Sequence, residues 1–564
     1  MYNLANYMAL DTETSGLKET DLPFLTTYRL DGNTGLEDFR KDSISPELVK
    51  EYCSRLVLMQ NAKFDMKMMW HKFGILPGEV LDLEVLARLV RNNHFKYSLD
   101  AIAKRHGLAK DDGVMAYIDK YKLKTKVTDQ YKEEVQLHFD RVPDDVMYPY
   151  AKMDVELTEE LVKRELALLD PRSEELLKLE MKLTPVCFKM ERSGVRLDID
   201  YTKNAMAHEE SLLTNERRKF ALHTGQPFDN TKKQLVDIFT KAGIELGKTE
   251  KGNVSLDDDA LAVIEHPAAE CVRNMRYLEK RISTYYASFM HRETRGLIHA
   301  DMRQAGTATG RFSYREPNFQ NMPKEEDSTE PYVVRGCIIP KRDLFLSVDY
   351  AQQEYRLMLA YANEQRLIKD VMAGADVHQA TADLVKVSRK HAKTLNFAIL
   401  YGAGDDQLAG MLKVTKREAR ELRLTYFGKL PHVEKFIQRV RTTARDRGFV
   451  YNWMGRKLNF DKGFDYAAPN HLIQGGGADV CKAAMVQLDG LFQDYSPGNY
   501  PMVLQVHDQL VFDLKESEAV EFAPKIKQIM ENVFPETNGM RLAVDVTYSR
   551  ESLADRGMKK WDNV

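Results

Sequence analysis

Two apolar runs, far apart in the chain, each lead into an aspartate, and this most limits the possible folds. Residues 344–348 (LFLSV) run into Asp349, and residues 502–514 read as two short strands flanking His507-Asp508. Between them, from about 357 to 448, the pattern is helical. Strands this distant can still be neighbours in one sheet, and their aspartates can then meet at adjacent strand ends.

The helical stretch carries a second pattern. Arg389, Lys393, Phe397 and Tyr401 recur at intervals of four in RKHAKTLNFAILYG, with Gly402 behind the last ring. On an α-helix each such step rotates by roughly 40°, giving one stripe of two cations followed by two rings. An ordinary core helix would carry Leu or Val there. The stripe suits a triphosphate at one end and a sugar or base at the other. Beside two carboxylates able to hold metal ions, it completes the parts needed for phosphoryl transfer.

The first segment has the rhythm of an α/β domain: YMAL before Asp11, LVLMQ before Asn61, and a long helix read from Asp154 onward. Asp11 and Glu13 alternate just past an apolar strand and point to one face. Asp65 follows the next buried run, and Tyr150 and Asp154 share a helical face. Hard oxygen ligands converging in this way can hold two magnesium ions for phosphodiester hydrolysis, with Tyr150 aligning the water. Residues 171–296 are helical and charged, and read as an arm of long helices.

A length of 564 residues allows three or four domains. The apolar fraction of 43% and charged fraction of 30% are globular values, with no apolar stretch long enough to cross a membrane. No basic leader or signal core precedes Asp11, so the cytoplasm is expected. Five scattered cysteines without a CxxC pair argue for free thiols and against zinc. The net charge of -3 conceals a basic region, including Lys413, Arg417, Arg420, Arg439, Arg445 and Arg456, suited to tracking phosphates.

In order and over nearly the whole chain, these residues resemble the family A, bacterial polymerase I type DNA-dependent DNA polymerases. The likeness is to the phage-like form with a 3′-5′ proofreading exonuclease and no 5′ nuclease domain. Asp11-Thr-Glu13, residues 61–65 and residues 150–154 look like the three exonuclease motifs. Thr309-Gly-Arg311 and residues 317–321 look like the primer-template motif. Residues 348–356, 389–402 and 506–509 look like motifs A, B and C.

The resemblance implies an α/β and α+β multidomain fold. A ribonuclease H-like exonuclease domain at 1–170 would precede a right-hand polymerase with thumb 171–300, palm 301–365 and 433–564, and fingers 366–432. It implies Asp11, Glu13, Asp65 and Asp154 as exonuclease metal ligands, with Tyr150 catalytic beside them. Asp349, Asp508 and the carbonyl of Tyr350 would hold the polymerase metals, two Mg2+ per site with Mn2+ able to substitute. Arg389, the catalytic Lys393 and His378 would take the phosphates. Phe397 would stack at the sugar and base and disfavour dideoxynucleotides, and Tyr401 would occupy the template position until the fingers close. Glu354 would exclude a 2′-hydroxyl, with Gln353 beside it at the nucleotide. Arg311, Asn321, Asn470, Gln474 and His507 would touch the primer terminus and minor groove. The implied partners are primer-template DNA and deoxynucleoside triphosphates, with a monomer, no membrane, and helicase or single-strand-binding partners left open.

Several positions depart from the family pattern. Gln509 replaces the usual glutamate of motif C, removing a negative charge beside Asp508. Ala351 and Gln353 replace serine and isoleucine, Ala398 stands where glycine is frequent, Gly476-Gly477 where Thr-Ala is common, and Tyr466 where arginine is. Two other readings remain: a nuclease whose second half only grips DNA, and a binding module with both sites silent. Acids clustered beside a polyanion argue against both.

Overall fold

The computed structural model describes residues 4–16, 21–247, 252–324 and 329–562; residues 1–3, part of the opening read for a leader, lie outside them. Strands β1 (Tyr7–Thr14), β2 (Pro23–Leu30), β3 (Asn33–Asp38), β4 (Leu56–Met59) and β5 (Glu79–Asp82) form one sheet in the order β3-β2-β1-β4-β5. β1 runs antiparallel to β2 and parallel to β4. Alternation along β1 sends Met8 and Leu10 into one core with Val57 and Met59, and Ala9 into another with Leu56 and Leu58. Both faces are therefore covered, which is why β4 reads LVLM without a polar residue.

Helices α1 (Ala62–Phe73) and α2 (Asp144–Leu168) pack on this sheet. Two boundaries differ from the sequence reading. β1 continues through Asp11 and Glu13 because β2 pairs with it that far, and α2 starts ten residues before Asp154. The acids thus sit on regular backbone.

Next come α3 (Glu174–Ser193), α4 (Ile199–Thr224) and α5 (Pro267–Lys280). α4 and α5 lie together over a core of their own that includes Phe220, Leu235, Phe239, Val272 and Met275.

A second sheet, wholly antiparallel, contains β6 (Leu344–Tyr350), β7 (Met502–Val506), β8 (Gln509–Leu514), β9 (Val544–Ser549) and β10 (Lys559–Lys560) in the order β7-β8-β6-β9-β10. Its register places Asp349 opposite Gln509 on one side and Asp545 on the other. The helices between β6 and β7 include α6 (Gln353–Ala362), α7 (Val377–Val385), α8 (Arg389–Leu400), α9 (Lys416–Lys429), α10 (Pro431–Arg447) and α11 (Ala468–Asp489). α8 begins where Ser388 Oγ accepts from the His391 amide at 3.2 Å, and ends before Gly402, whose φ of 73° suits glycine.

α3 does not join the α4–α5 arm. Its Glu180 is fully buried and takes both Lys482 of α11 and Arg456, whose guanidinium also pairs with Asp479 at 2.6 Å. Two acids and two bases, all buried, balance here, so losing any one would strand a buried charge. The arm of long helices read over 171–296 therefore does not include α3, because these charges fasten α3 to the body.

Candidate active sites

Asp349 is the penultimate residue of β6, and Asp508 lies in the tight turn joining β7 to β8. His507 holds a left-handed φ of 58° in that turn, a conformation the surroundings must enforce. Gln320 supplies the restraint. Its Oε1 accepts from the His507 amide at 2.8 Å, while its Nε2 donates to the Gln505 carbonyl at 2.9 Å and side-chain oxygen at 2.8 Å. The Tyr350 amide donates to the Asp508 carbonyl at 3.3 Å, drawing the two strand ends together.

Burial, then the neighbouring Asp508 charge, pushes the Asp349 carboxyl up to about 8, and burial raises Asp508 as well. Lys324 Nζ, 3.8 Å from Asp349 Oδ2, offsets this in part. Asp349 Oδ1 is buried with no hydrogen-bond partner. Two crowded carboxylates with an unsatisfied oxygen fit a divalent cation.

The α8 stripe is exposed at its cationic end. Arg389 is held by Asp376 through two contacts, 3.2 and 2.7 Å. Phe397 and Tyr401 stack with centroids 6.1 Å apart and planes 18° from parallel, and Tyr401 is 45% exposed. The Tyr401 hydroxyl donates to Glu354 Oε2 at 3.1 Å, and Arg311 pairs with the other oxygen of Glu354. Arg311 and Tyr401 both feel the charge of Asp508, so the ring end of the stripe, Glu354 and the acid pair are neighbours.

Two residues expected at the nucleotide, His378 and Gln353, are buried. His378 is buried beneath the stripe and Asn396 donates to its Nδ1 at 3.0 Å; burial lowers its pKa, which favours the neutral ring. Gln353 is buried between α6 and α11, its Nε2 3.7 Å from Cys481 Sγ. Both are turned inward by the faces they occupy on their helices. Asn470 and Gln474 sit half-buried on the first turns of α11, His507 is exposed, and Asn321 is exposed at the end of the short helix Phe319–Asn321.

In the first domain, Asp11 and Glu13 of β1 and Asp154 of α2 bring one carboxylate oxygen each within 4.8 Å of one another. Tyr150 lies one turn before Asp154 in α2. Asp65, on the first turn of α1, stands outside this group because its Oδ1 accepts from the Thr12 amide at 2.9 Å and hydroxyl at 2.6 Å. Burial first, then mutual repulsion, pushes Glu13 up to about 8 and raises Asp11 well above the usual range. Burial also raises Asp65 to about 7 against the pull of Thr12. Asp154 Oδ1 lacks a partner, so this donor set too fits a divalent cation.

Sequence reasoning passed over Gln320, though it sits inside the quoted 317–321 motif. It also missed Gln505, Lys324, Asp545 and Lys110, which no local spacing marks.

A family model for DNA polymerase family A matches residues 200–553, and one for a 3′-5′ exonuclease matches residues 1–166. DNA polymerase I of Synechocystis sp. is 30% identical over 523 residues, covering 84% of this chain and 51% of that protein. DNA polymerase DpoZ of Salmonella phage PMBT28 is 26% identical over 625 aligned residues, covering 97% of this chain and 96% of that one. The chain thus spans about half the length of the bacterial relative and nearly all of the phage one. The POL domain of Pol1 from M. smegmatis, solved in complex with DNA primer-template and dNTP, shares the fold. Its TM-score is 0.82 at 22% identity, over 98% of this chain and 96% of that one.

Proposed function

The chain belongs to DNA polymerase family A and carries a 3′-5′ exonuclease domain, and from that premise we propose that it extends a DNA primer along a template and trims the same 3′ end at a second site. One observation carries the reading: two separate carboxylate groups each keep a buried oxygen without a partner, and one of them neighbours Tyr401 at the ring end of the stripe. Divalent cations, Mg2+ in our reading with Mn2+ able to replace it, would supply the positive charge that activates the attacking oxygen and stabilises the leaving one.

Asp349, Asp508 and the Tyr350 carbonyl would hold them for synthesis. Asp11, Glu13 and Asp154 would do so for trimming, with Asp65 at the edge and Tyr150 alongside. Arg389 exchanges Asp376 for the triphosphate, which it can grip in a bidentate fashion, and Lys393 adds a point charge. Phe397 and Tyr401 present rings to the sugar and base, and Glu354 walls off the 2′ side of the sugar. Arg311, Asn321, Asn470, Gln474 and His507 face the primer side. Minor-groove acceptors recur on every Watson-Crick pair, so donors there test pairing without reading sequence.

In this reading residues 1–170 are the exonuclease, the arm within 171–300 the thumb, 366–432 the fingers, and 301–365 with 433–564 the palm. The partners are primer-template DNA and deoxynucleoside triphosphates, the protein acts as a monomer, and the site of action is the cytoplasm. Among the described residues no helix is long and apolar enough to cross a membrane.

Primer extension with Mg2+ tests the proposal. Wild type should both extend and trim, Asp349→Ala should lose only extension, and Asp11→Ala with Glu13→Ala only trimming. Trimming without extension by wild type would leave a nuclease that merely grips DNA, and neither activity would leave a binding module.

A further inference from the structure

One lysine stands inside the exonuclease acid group. Lys110 lies in the loop between helices Leu99–Arg105 and Gly113–Tyr121. Its Nζ is 2.5 Å from Asp154 Oδ2 and 4.8 Å from the ring centroid of Tyr150, and 21% of its side chain is exposed. Among the described residues it is the cation whose charge acts on Asp11, Glu13 and Asp154 alike. Three clustered acids, with Asp65 behind them, therefore face one ammonium.

We propose that Lys110 is the resident counter-ion of this site and, once a divalent cation occupies Asp154, becomes a ligand for the phosphate beside the 3′ end of a single DNA strand. This rests on the reading of the site as a nuclease. An ammonium at contact distance from Asp154 and a divalent cation on the same carboxylate repel each other strongly in a half-buried setting. The lysine must yield, and its means of yielding are visible. It is carried by a loop, and its four-carbon stem lets Nζ travel without moving the backbone. The Tyr150 face offers a second resting place for the cation on the way. The anion that arrives with substrate is a phosphodiester, which an ammonium binds as a point charge. Lys110 would thus compete with metal in the free enzyme and hold substrate in the complex, making it a substrate-positioning residue.

The test uses the full chain with Lys110→Met and Lys110→Arg. Calorimetric titration with Mn2+ in the absence of DNA should show Lys110→Met binding the ion at the exonuclease site on the order of tenfold more tightly, with Lys110→Arg near wild type. For trimming of a single-stranded oligonucleotide, Lys110→Met should raise KM on the order of tenfold, and Lys110→Arg should restore it. Extension of a matched primer by the same samples checks that the chain is folded. Unchanged Mn2+ affinity overturns the counter-ion role, and unchanged KM overturns the phosphate role. Failure of wild type to trim at all would instead sink the nuclease reading, while the Mn2+ titration still judges the lysine.

Discussion

The Oε1 atom of Gln353 lies 2.5 Å from where a Cβ on Gly477 would stand. Two departures from the family pattern, glutamine for isoleucine on α6 and glycine for alanine on α11, are therefore one packing solution. Gly477→Ala should gain about 0.5–1 kcal/mol of helix preference but lose about 1–3 kcal/mol to overpacking, for a net destabilisation. Adding Gln353→Ile should recover most of the loss. Thermal unfolding of the two single variants and the double variant measures this, and a Gly477→Ala protein as stable as wild type would remove the contact from consideration.

Glu354 ties Tyr401 and Arg311 together. Glu354→Ala should open the 2′ side of the sugar and raise ribonucleotide use relative to deoxyribonucleotide use by on the order of 10–100-fold. Tyr401→Phe, which loses the tether but keeps the wall, should leave that ratio close to wild type. Single-nucleotide incorporation kinetics decide between them, and equal ratios for Glu354→Ala and wild type would end the steric role.

Glu13 is raised from 4.5 to about 8 and Asp65 from 3.8 to about 7, with Asp11 displaced in the same direction. The folded protein then keeps protons that the unfolded chain releases near pH 4. The stability this brings is fully present below that pH and is lost as pH rises through about 8. In chelator, unfolding of the first domain should shift to lower temperature between pH 5 and pH 8, and Asp11→Asn with Glu13→Gln should flatten the shift. Added Mg2+ should stabilise, increasingly so toward pH 8, because the ion binds the deprotonated form. Thermal scans across pH with and without Mg2+ supply the check; a metal-free midpoint that rises with pH contradicts the assignment.

Gln509 is 8% exposed and donates to Ser347 Oγ at 2.5 Å. A glutamate there could accept from the same hydroxyl, so Gln509→Glu should fold normally. It should add negative charge opposite Asp349 and lower the Mg2+ needed for half-maximal extension by about 3–10-fold, with little change at saturation. Extension rates against Mg2+ concentration measure this, and a higher requirement would show that the amide serves the site better than the acid.

Much of this architecture was legible as short-range pattern. The runs into Asp349 and around Asp508 became β6, β7 and β8, and the four-residue spacing of Arg389, Lys393, Phe397 and Tyr401 became one exposed edge of α8 with Tyr401 at its end. Tyr150 and Asp154 fell one turn apart on α2. Strand and helix periods assign side chains to faces within a few residues, so such relations survive without knowledge of the fold.

Residues acting across the fold were not legible in that way. His378 and Gln353 were both expected at the nucleotide, yet inward-facing positions on their helices bury both. Gln320 restrains a turn nearly two hundred residues later, and Lys110 reaches Asp154 from a loop without periodicity. Ordered motifs in the sequence determined the family, the two kinds of acid group and the stripe. Tertiary packing alone decided which oxygens converge, which are already satisfied and how strongly each holds its proton. Those properties depend on burial and on charges brought close by distant elements, and neither is encoded in the spacing of neighbouring residues.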